Sequence, residues 1–324
     1  MSLSVLETPI VSVVTPFYNS GDTLERCIVS VLSQTRADFE YLLVDNCSSD
    51  RGSEIARDYA RRDPRIRYLR FEEHVFKARN YNRAVKSIST ATRYCKVVQA
   101  DDYLYPQCLE QMLEIALRHP NVGVVGARRV AGDVVDPAPT KSVPPVSPGR
   151  DICRQVLRGE LYPFGSPTSV LYRADLVRSL RRDFFFDELL YFDDVDVVLD
   201  ALRTTDFAFC EQVLTYTQRD PASTFGRVMQ YFPGLLNRYM MLRKWGADFF
   251  APQELKSVLD EVAREYYEAL IRASGRGDRA ELFKFHRAVL AGGGFRWEFG
   301  RAFATFAAMA SGWVARRVGL RGFS

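Results

Sequence analysis

Two adjacent carboxylates, Asp101 and Asp102, stand directly after an apolar run in Gln99-Ala100-Asp101-Asp102-Tyr103. Groups of like charge so close together resist ionising unless something cationic sits with them. A hard divalent ion, Mg2+ or Mn2+, is the economical neutraliser. Such ions take one or two carboxylates and complete their shell from water and substrate phosphates. The same pair would also suit the start of the next helix, where the dipole favours acids. Residue types alone leave both readings open.

A second acidic group occupies Phe184-Phe185-Phe186-Asp187-Glu188-Leu189-Leu190-Tyr191-Phe192-Asp193-Asp194-Val195-Asp196. Acids interleaved with large apolar residues lie at the margin of a core. Desolvation there raises a carboxyl pKa and suits it to accept a proton. Alternatively Asp193 and Asp194 cap a helix and Asp196 is solvated. Asp194-Val195-Asp196 is also a D-x-D, so it competes with Asp101-Asp102 for a metal. Other chemistries fail by pattern. The chain has no G-x-x-x-x-G-K-[ST] and no H-E-x-x-H. Gly275-x-Gly277-x-x-Ala280 follows a helical stretch rather than a strand and reads as a helix-helix turn. His74, His119 and His286 are too scattered for a histidine-rich metal site.

The elements that must position these acids alternate in period. Ile10–Val14, Tyr41–Val44, Ile66–Leu69, Tyr94–Gln99 and Val122–Val125 read as strands. Between them, apolar residues recur at helical spacing, as in Leu24, Cys27, Ile28, Val31 and Leu32. Helices are also expected up to Arg62, over Val75–Ile88 and over Pro106–Leu117. Alternating β-α units predict a doubly wound parallel sheet with its ligand site outside the carboxyl ends of the strands. Those ends carry Thr15-Pro16-Phe17-Tyr18-Asn19, Asp45-Asn46 and Ala100-Asp101-Asp102. Val134–Gly149, with five prolines, reads as a long irregular loop that is either a lid beside this edge or a passive connection. Beyond Arg227 the pattern is helical. The expected organisation is a catalytic domain over 1–227 and a helical region over 228–324.

Composition narrows the classes. The 324 residues carry 44 Lys and Arg against 40 acids, a net charge of +4 that is too weak to suggest a nucleic-acid partner. Residues 276–324 alone hold nine basic residues and three acids, so the excess sits in the tail. Six scattered cysteines without a C-x-x-C suit reduced thiols in a cytoplasmic protein. The N-terminus lacks a basic region and cleavage site, so no signal peptide is expected. The uncharged run Ala302–Ala315 has 14 residues, short of the roughly 20 needed to span a bilayer.

In order and spacing, these segments together resemble glycosyltransferase family 2, the inverting nucleotide-sugar enzymes of the GT-A fold, over about residues 9–225. The resemblance is carried by Val11–Asn19, Leu32-Ser33-Gln34-Thr35, Phe39–Asn46 and Asp63-Pro64-Arg65-Ile66-Arg67. It continues in Ala78-Arg79-Asn80, in Asp101-Asp102 with Pro106 and Leu109, and in Phe186-Asp187-Glu188 with Asp193-Asp194-Val195-Asp196. It implies a GT-A-type, mostly parallel sheet flanked by helices, with a C-terminal helical extension. It implies a metal-dependent transfer of a sugar from a nucleoside-diphosphate donor to a saccharide or lipid-linked acceptor, in surface polysaccharide or glycolipid assembly. Thr15, Pro16, Tyr18, Asp45 and Asn46 would hold the nucleoside, Arg79 would lie near the donor, and Asp101 would face its sugar or ribose. Asp102 would ligate Mg2+ or Mn2+, and Asp194 would be the catalytic base. The chain departs from the family pattern at Asn46 and Gln99, where acids are common. It departs also at Glu72-Glu73-His74, where glycine is common, and at Gln218-Arg219, where a histidine is common.

Two rivals share this fold class. A nucleotidyltransferase would want a Gly-rich basic loop after the first strand, and Phe17-Tyr18-Asn19-Ser20 is not one. A non-catalytic nucleotide-binding module would not need both Asp102 and Asp194. The tail outside the resemblance has two readings. Trp297, Phe299, Phe303, Phe306 and Trp313 among arginines suit a helix lying on an anionic membrane surface, which would place the protein at the inner face of the membrane. They also suit a helical subdomain that packs on the core or forms a homodimer.

Overall fold

The computed structural model describes residues 9–136, 142–179, 193–221, 224–273 and 279–317. The chain divides into two compact units. The first reaches Asp220, and the second begins at Pro221 and also takes in Leu157–Gly159.

In the first unit, β1 (Val11–Phe17) and β2 (Phe39–Asp45) are buried along their whole length, as near-continuous apolar strands covered on both faces should be. Between them, α1 (Leu24–Leu32) buries Leu24, Cys27, Ile28 and Val31, one stripe of the helix. The alternation continues through α2 (Gly52–Arg62), β3 (Ile66–Arg70), α3 (Lys77–Lys86), β4 (Tyr94–Val97), the short β5 (Tyr103–Leu104) and α4 (Cys108–Arg118). Next come β6 (Val122–Ala131), β7 (Val134–Asp136), β8 (Val146–Pro148) and α5 (Gly149–Arg158). They are followed by β9 (Val170–Arg173), α6 (Ala174–Ser179), α7 (Asp193–Ala201) and β10 (Asp206–Thr217).

One sheet runs β3-β2-β1-β4-β9-β6-β10-β5, with β7 paired to β6 and β8 to β10. Strands β1 to β4 are parallel, as their α-helical crossovers require, and β10 pairs parallel with β6. Strand β9 enters antiparallel between β4 and β6. The 134–149 segment is not wholly irregular as read from sequence, because Val134–Asp136 and Val146–Pro148 add short antiparallel strands. The β6–β7 turn is made by Gly132, at φ +61°, with the Arg219 side chain lying close to where a Cβ would stand.

The core joins Val11, Val13, Ile28, Tyr41, Leu43 and Val98 to Leu109, Leu113, Val125 and Ala208, from both halves of the sheet and the helices over one face. It leaves the carboxyl ends of β1, β2 and β4 as the edge on which polar loops gather.

The second unit, among its described residues, is helical: α8 (Thr224–Val228), α9 (Pro233–Phe249), α10 (Pro252–Ala273), α11 (Arg279–Gly292) and α12 (Phe299–Arg317). Its centre is aromatic, with Tyr239 stacked on Tyr266 at 5.2 Å and Tyr267 against Trp297 at 5.7 Å. His286 is buried there. Its Nε2 donates to the Tyr231 carbonyl at 2.7 Å, so Nδ1 accepts from the Tyr266 hydroxyl at 2.9 Å. Burial holds this imidazole neutral and lowers its pKa to about 4. No helix among the described residues is long and apolar enough to cross a membrane.

Candidate active site

The site lies along the carboxyl edge of the sheet and has two halves. In the first, the loops after β1 and β2 are locked together. The Asn19 N–H donates to Ser48 Oγ at 3.0 Å, and the Ser49 N–H donates to Asn19 Oδ1 at 2.8 Å. Both loops need a left-handed residue, Asn19 at φ 47° and Cys47 at φ 64°. Gly21 lies so close to Asp50 and Arg51 that a side chain there would collide with both.

Asp45 and Asn46 spend their side chains inside the protein. Asp45 is fully buried. Its Oδ1 accepts the Ser48 N–H at 2.8 Å, and its Oδ2 accepts Ser53 Oγ at 2.6 Å, Tyr68 OH at 2.7 Å and Arg70 Nη1 at 3.2 Å. Burial pushes this carboxyl pKa up, but the hydrogen bonds from Ser53, Ser48 and Tyr68 outweigh it and hold the group below its ordinary value. Asn46 forms a reciprocal pair with the backbone of Val75, donating to its carbonyl at 2.7 Å and accepting its N–H at 3.0 Å. Thr15 also points inward, with Oγ1 at 3.0 Å from Tyr41 OH, and Pro16 is buried. What faces outward is Tyr18, whose ring meets that of His74 at 4.2 Å with a 53° tilt. Arg79 is exposed on α3 between buried Ala78 and Asn80.

The second half contains the acids. Arg26 of α1 donates to the Asp101 carbonyl at 2.9 Å and to Gln218 Oε1 at 3.4 Å. Its guanidinium lies over the rings of Tyr103 and Tyr216, which stack at 4.5 Å. Asp102 is 1% exposed. Its Oδ1 accepts the Gln218 N–H at 3.0 Å, and its Oδ2 is buried without a hydrogen-bond partner. Burial, and then the charge of Asp101, raise the Asp102 carboxyl to about 7. Beneath it, Lys96 is completely buried and donates to the carbonyls of Thr168 at 2.5 Å and Val170 at 3.3 Å. Thr168 in turn accepts the Gln99 N–H at 3.1 Å, so this lysine anchors the turn that supports the acidic loop.

Asp194 opens α7. Desolvation raises its carboxyl pKa, and the charges of Lys77 and Arg129 oppose the rise. Tyr162 lies near enough that the Asp194 charge makes its hydroxyl still harder to ionise. Arg129, nearly buried on β6 and bonded to Asp136 at 2.7 Å, also acts on Asp102. Among the described residues, the charge of Arg129 acts on both Asp102 and Asp194, the two raised carboxyls. Asp187 and Glu188 lie outside the described residues.

Among the described residues no three His, Cys, Asp or Glu side chains form a ready metal cage. The donor set instead offers one orphaned carboxylate oxygen on Asp102 with Asp101 beside it. That suits a hard ion which draws its remaining ligands from phosphate and water.

Arg26, Lys77, Lys96, Arg129 and Thr168 were not singled out by the sequence. Charged residues inside apolar strands, Lys96 in Tyr94–Val98 and Arg128-Arg129 at the end of β6, were the available signal. Buried charges are rare unless something holds them.

Residues 12–181 match the description of glycosyl transferase family 2. An uncharacterised protein of Mycobacterium tuberculosis, MT1568, is 30% identical over 260 residues, which cover 77% of this chain and 79% of that protein. TuaG of Bacillus subtilis, named as a teichuronic acid biosynthesis glycosyltransferase, is 35% identical over 109 residues, 34% of this chain and 42% of its own length. Among solved structures, the mannosyltransferase PcManGT of Pyrobaculum calidifontis, in complex with GDP-Man and Mn2+, aligns with a TM-score of 0.55 at 17% identity. That alignment covers 93% of this chain and 80% of PcManGT. At such identity the likeness speaks for the fold, which is the GT-A fold. With the match over half its length and a relative aligned along most of its course, this chain belongs to glycosyl transferase family 2.

Proposed function

We propose that the protein transfers a sugar, with inversion, from a nucleoside diphosphate to an acceptor hydroxyl, using Asp194 as base and Asp102 as metal ligand. The observation that carries this reading is the buried Asp102 carboxylate, whose Oδ2 has no hydrogen-bond partner, together with the desolvated Asp194 carboxyl, both acted on by the charge of Arg129. A buried carboxylate with a raised pKa accepts a proton readily near neutrality. A sugar hydroxyl is too weak a nucleophile without such a base.

In the proposed step the acceptor oxygen bonds to the anomeric carbon and its proton passes to the Asp194 carboxylate. The bond from that carbon to the donor oxygen breaks, and its electron pair leaves with the diphosphate. Asp102, with Asp101, would hold Mg2+ or Mn2+, which as a Lewis acid stabilises the charge gathering on the leaving diphosphate. Asp101 would face the sugar or ribose. Arg79 would lie on the donor side, where a cation opposes the diphosphate charge. Tyr18 and His74 offer the exposed ring pair on which a base would stack. Asp45, Asn46, Thr15 and Pro16 would act by fixing the backbone of the donor loops, since their side chains are engaged or buried within the fold.

An acceptor in surface polysaccharide assembly is supported by the name of TuaG, and a saccharide or lipid-linked hydroxyl is the class expected. The test is calorimetric titration with UDP, GDP, CDP, ADP and dTDP, with and without Mn2+. One nucleotide should bind, and Mn2+ should tighten it at least tenfold. Failure of every nucleotide to bind would count against the whole reading.

A further inference from the structure

We propose that α12 is a surface on which this protein binds an anionic lipid bilayer. Phe299, Phe303 and Phe306 recur at i, i+4 and i+7 and so lie on one face of this helix. They are 72%, 73% and 55% exposed. A different face seats the helix on its own unit. Arg301 reaches Asp260 of α10 at 2.7 Å, Thr305 is buried, and Trp297 just before the helix packs on Tyr267 and Phe283. The phenylalanine stripe is thus not what holds α12 in place.

Charge selects the occupant. Residues 276–324 carry nine Lys and Arg and three acids, a net +6. Of the basic residues, Arg279, Lys284, Arg287 and Arg296 are exposed. An apolar stripe on a helix of this net-basic segment fits the boundary of an anionic membrane, where the rings enter the acyl layer and cations of the segment meet the headgroups. Each Lys or Arg near such a leaflet favours binding about fivefold at moderate ionic strength. A second copy of the chain fits poorly, because two-fold pairing would bring together two segments of net +6. The three rings expose roughly 400 Å2 at about 200 Å2 each, half of the roughly 800 Å2 per partner of a stable protein interface. The helix lies on the bilayer rather than crossing it.

The proposal is independent of the glycosyl-transfer reading, and its test uses no activity. Full-length protein is mixed with sucrose-loaded vesicles of phosphatidylglycerol and phosphatidylcholine, or of phosphatidylcholine alone, and sedimented. Wild type should sediment with the anionic vesicles at 0.1 M NaCl, at least tenfold less at 0.5 M, and not with neutral ones. The triple variant Phe299→Ser/Phe303→Ser/Phe306→Ser should bind at least tenfold more weakly with unchanged circular dichroism. The corresponding triple Leu variant should bind within about threefold of wild type. Equal sedimentation of wild type and the Ser variant would overturn the proposal, as would wild type that ignores anionic vesicles. It would also fall if light scattering showed the Ser substitutions turning a dimer into a monomer, because the stripe would then be an interface between copies.

Discussion

The backbone N–H of Gln218 donates to Oδ1 of Asp102 at 3.0 Å, across 116 residues of sequence. This bond fixes one carboxylate oxygen from the residue just beyond β10 and leaves the other, Oδ2, buried and unpartnered.

Asp102→Asn keeps the shape and removes the charge. It should abolish the effect of Mn2+ on nucleotide affinity. Melting should change by only a few degrees, because a costly buried acid is replaced by a neutral amide. Paired titrations with and without Mn2+, alongside a thermal melt, check both halves of the expectation.

Arg26→Ala removes the side chain that joins α1 to the Asp101 carbonyl and to Gln218. Because Arg26 is exposed, the loss should cost less than about 1 kcal/mol of stability. The acidic loop should loosen, and donor turnover should fall about tenfold or more, since small displacements of positioning groups are expensive in rate. Steady-state kinetics with a denaturant melt separates the two effects. A large loss of stability would make Arg26 a structural residue only.

Asp45→Asn should behave as a stability variant. It cannot accept all of the bonds from Ser48, Ser53, Tyr68 and Arg70, and unfilled buried donors cost about 1–3 kcal/mol. The wild-type carboxyl has a folded pKa below its unfolded one. It therefore stabilises the protein above the unfolded value, and that contribution disappears as pH falls through the folded value. Urea unfolding across acidic pH should show a shallower acid dependence in the variant.

His286 acts in the same direction, but at higher pH. Its folded pKa, about 4, lies below the ordinary 6.5, so the unfolded chain takes up the proton first. Stability should fall as pH drops from 6.5 toward 4, by up to about 3 kcal/mol from this residue, and be unaffected by it above 7. His286→Gln cannot titrate. Its deficit relative to wild type should therefore shrink as pH falls, which chemical denaturation at pH 7 and 4.5 would show.

Much of this architecture was legible in the residues. Strands β1 to β4 and α1 were read from period alone, because buried parallel strands and amphipathic helices write their burial directly into sequence. The short strands β5, β7, β8 and β9 are not, since so few residues carry little pattern of their own and, β7 apart, their partners lie far along the chain. Strand β10 was hidden by register shifts around Glu211 and Gln212, where polar residues interrupt the apolar run. At the site, Asp102 and Asp194 stood out as acids beside apolar segments. Arg26 did not, because it sits on an exposed helix position and its contact with Gln218 spans 192 residues. The family resemblance implies that Asp45 and Asn46 hold the nucleoside. Their engagement with Ser53, Tyr68, Arg70 and Val75 depends on packing that no local pattern displays.

The central claim is that Asp194 takes the acceptor proton. Its most direct test is release of nucleoside diphosphate from the donor that titration identifies, with water as the acceptor, in wild type and Asp194→Asn. The variant should bind the donor within about threefold of wild type while its release rate falls by about 10²–10⁴-fold. Release at the wild-type rate with donor binding intact would contradict the assignment.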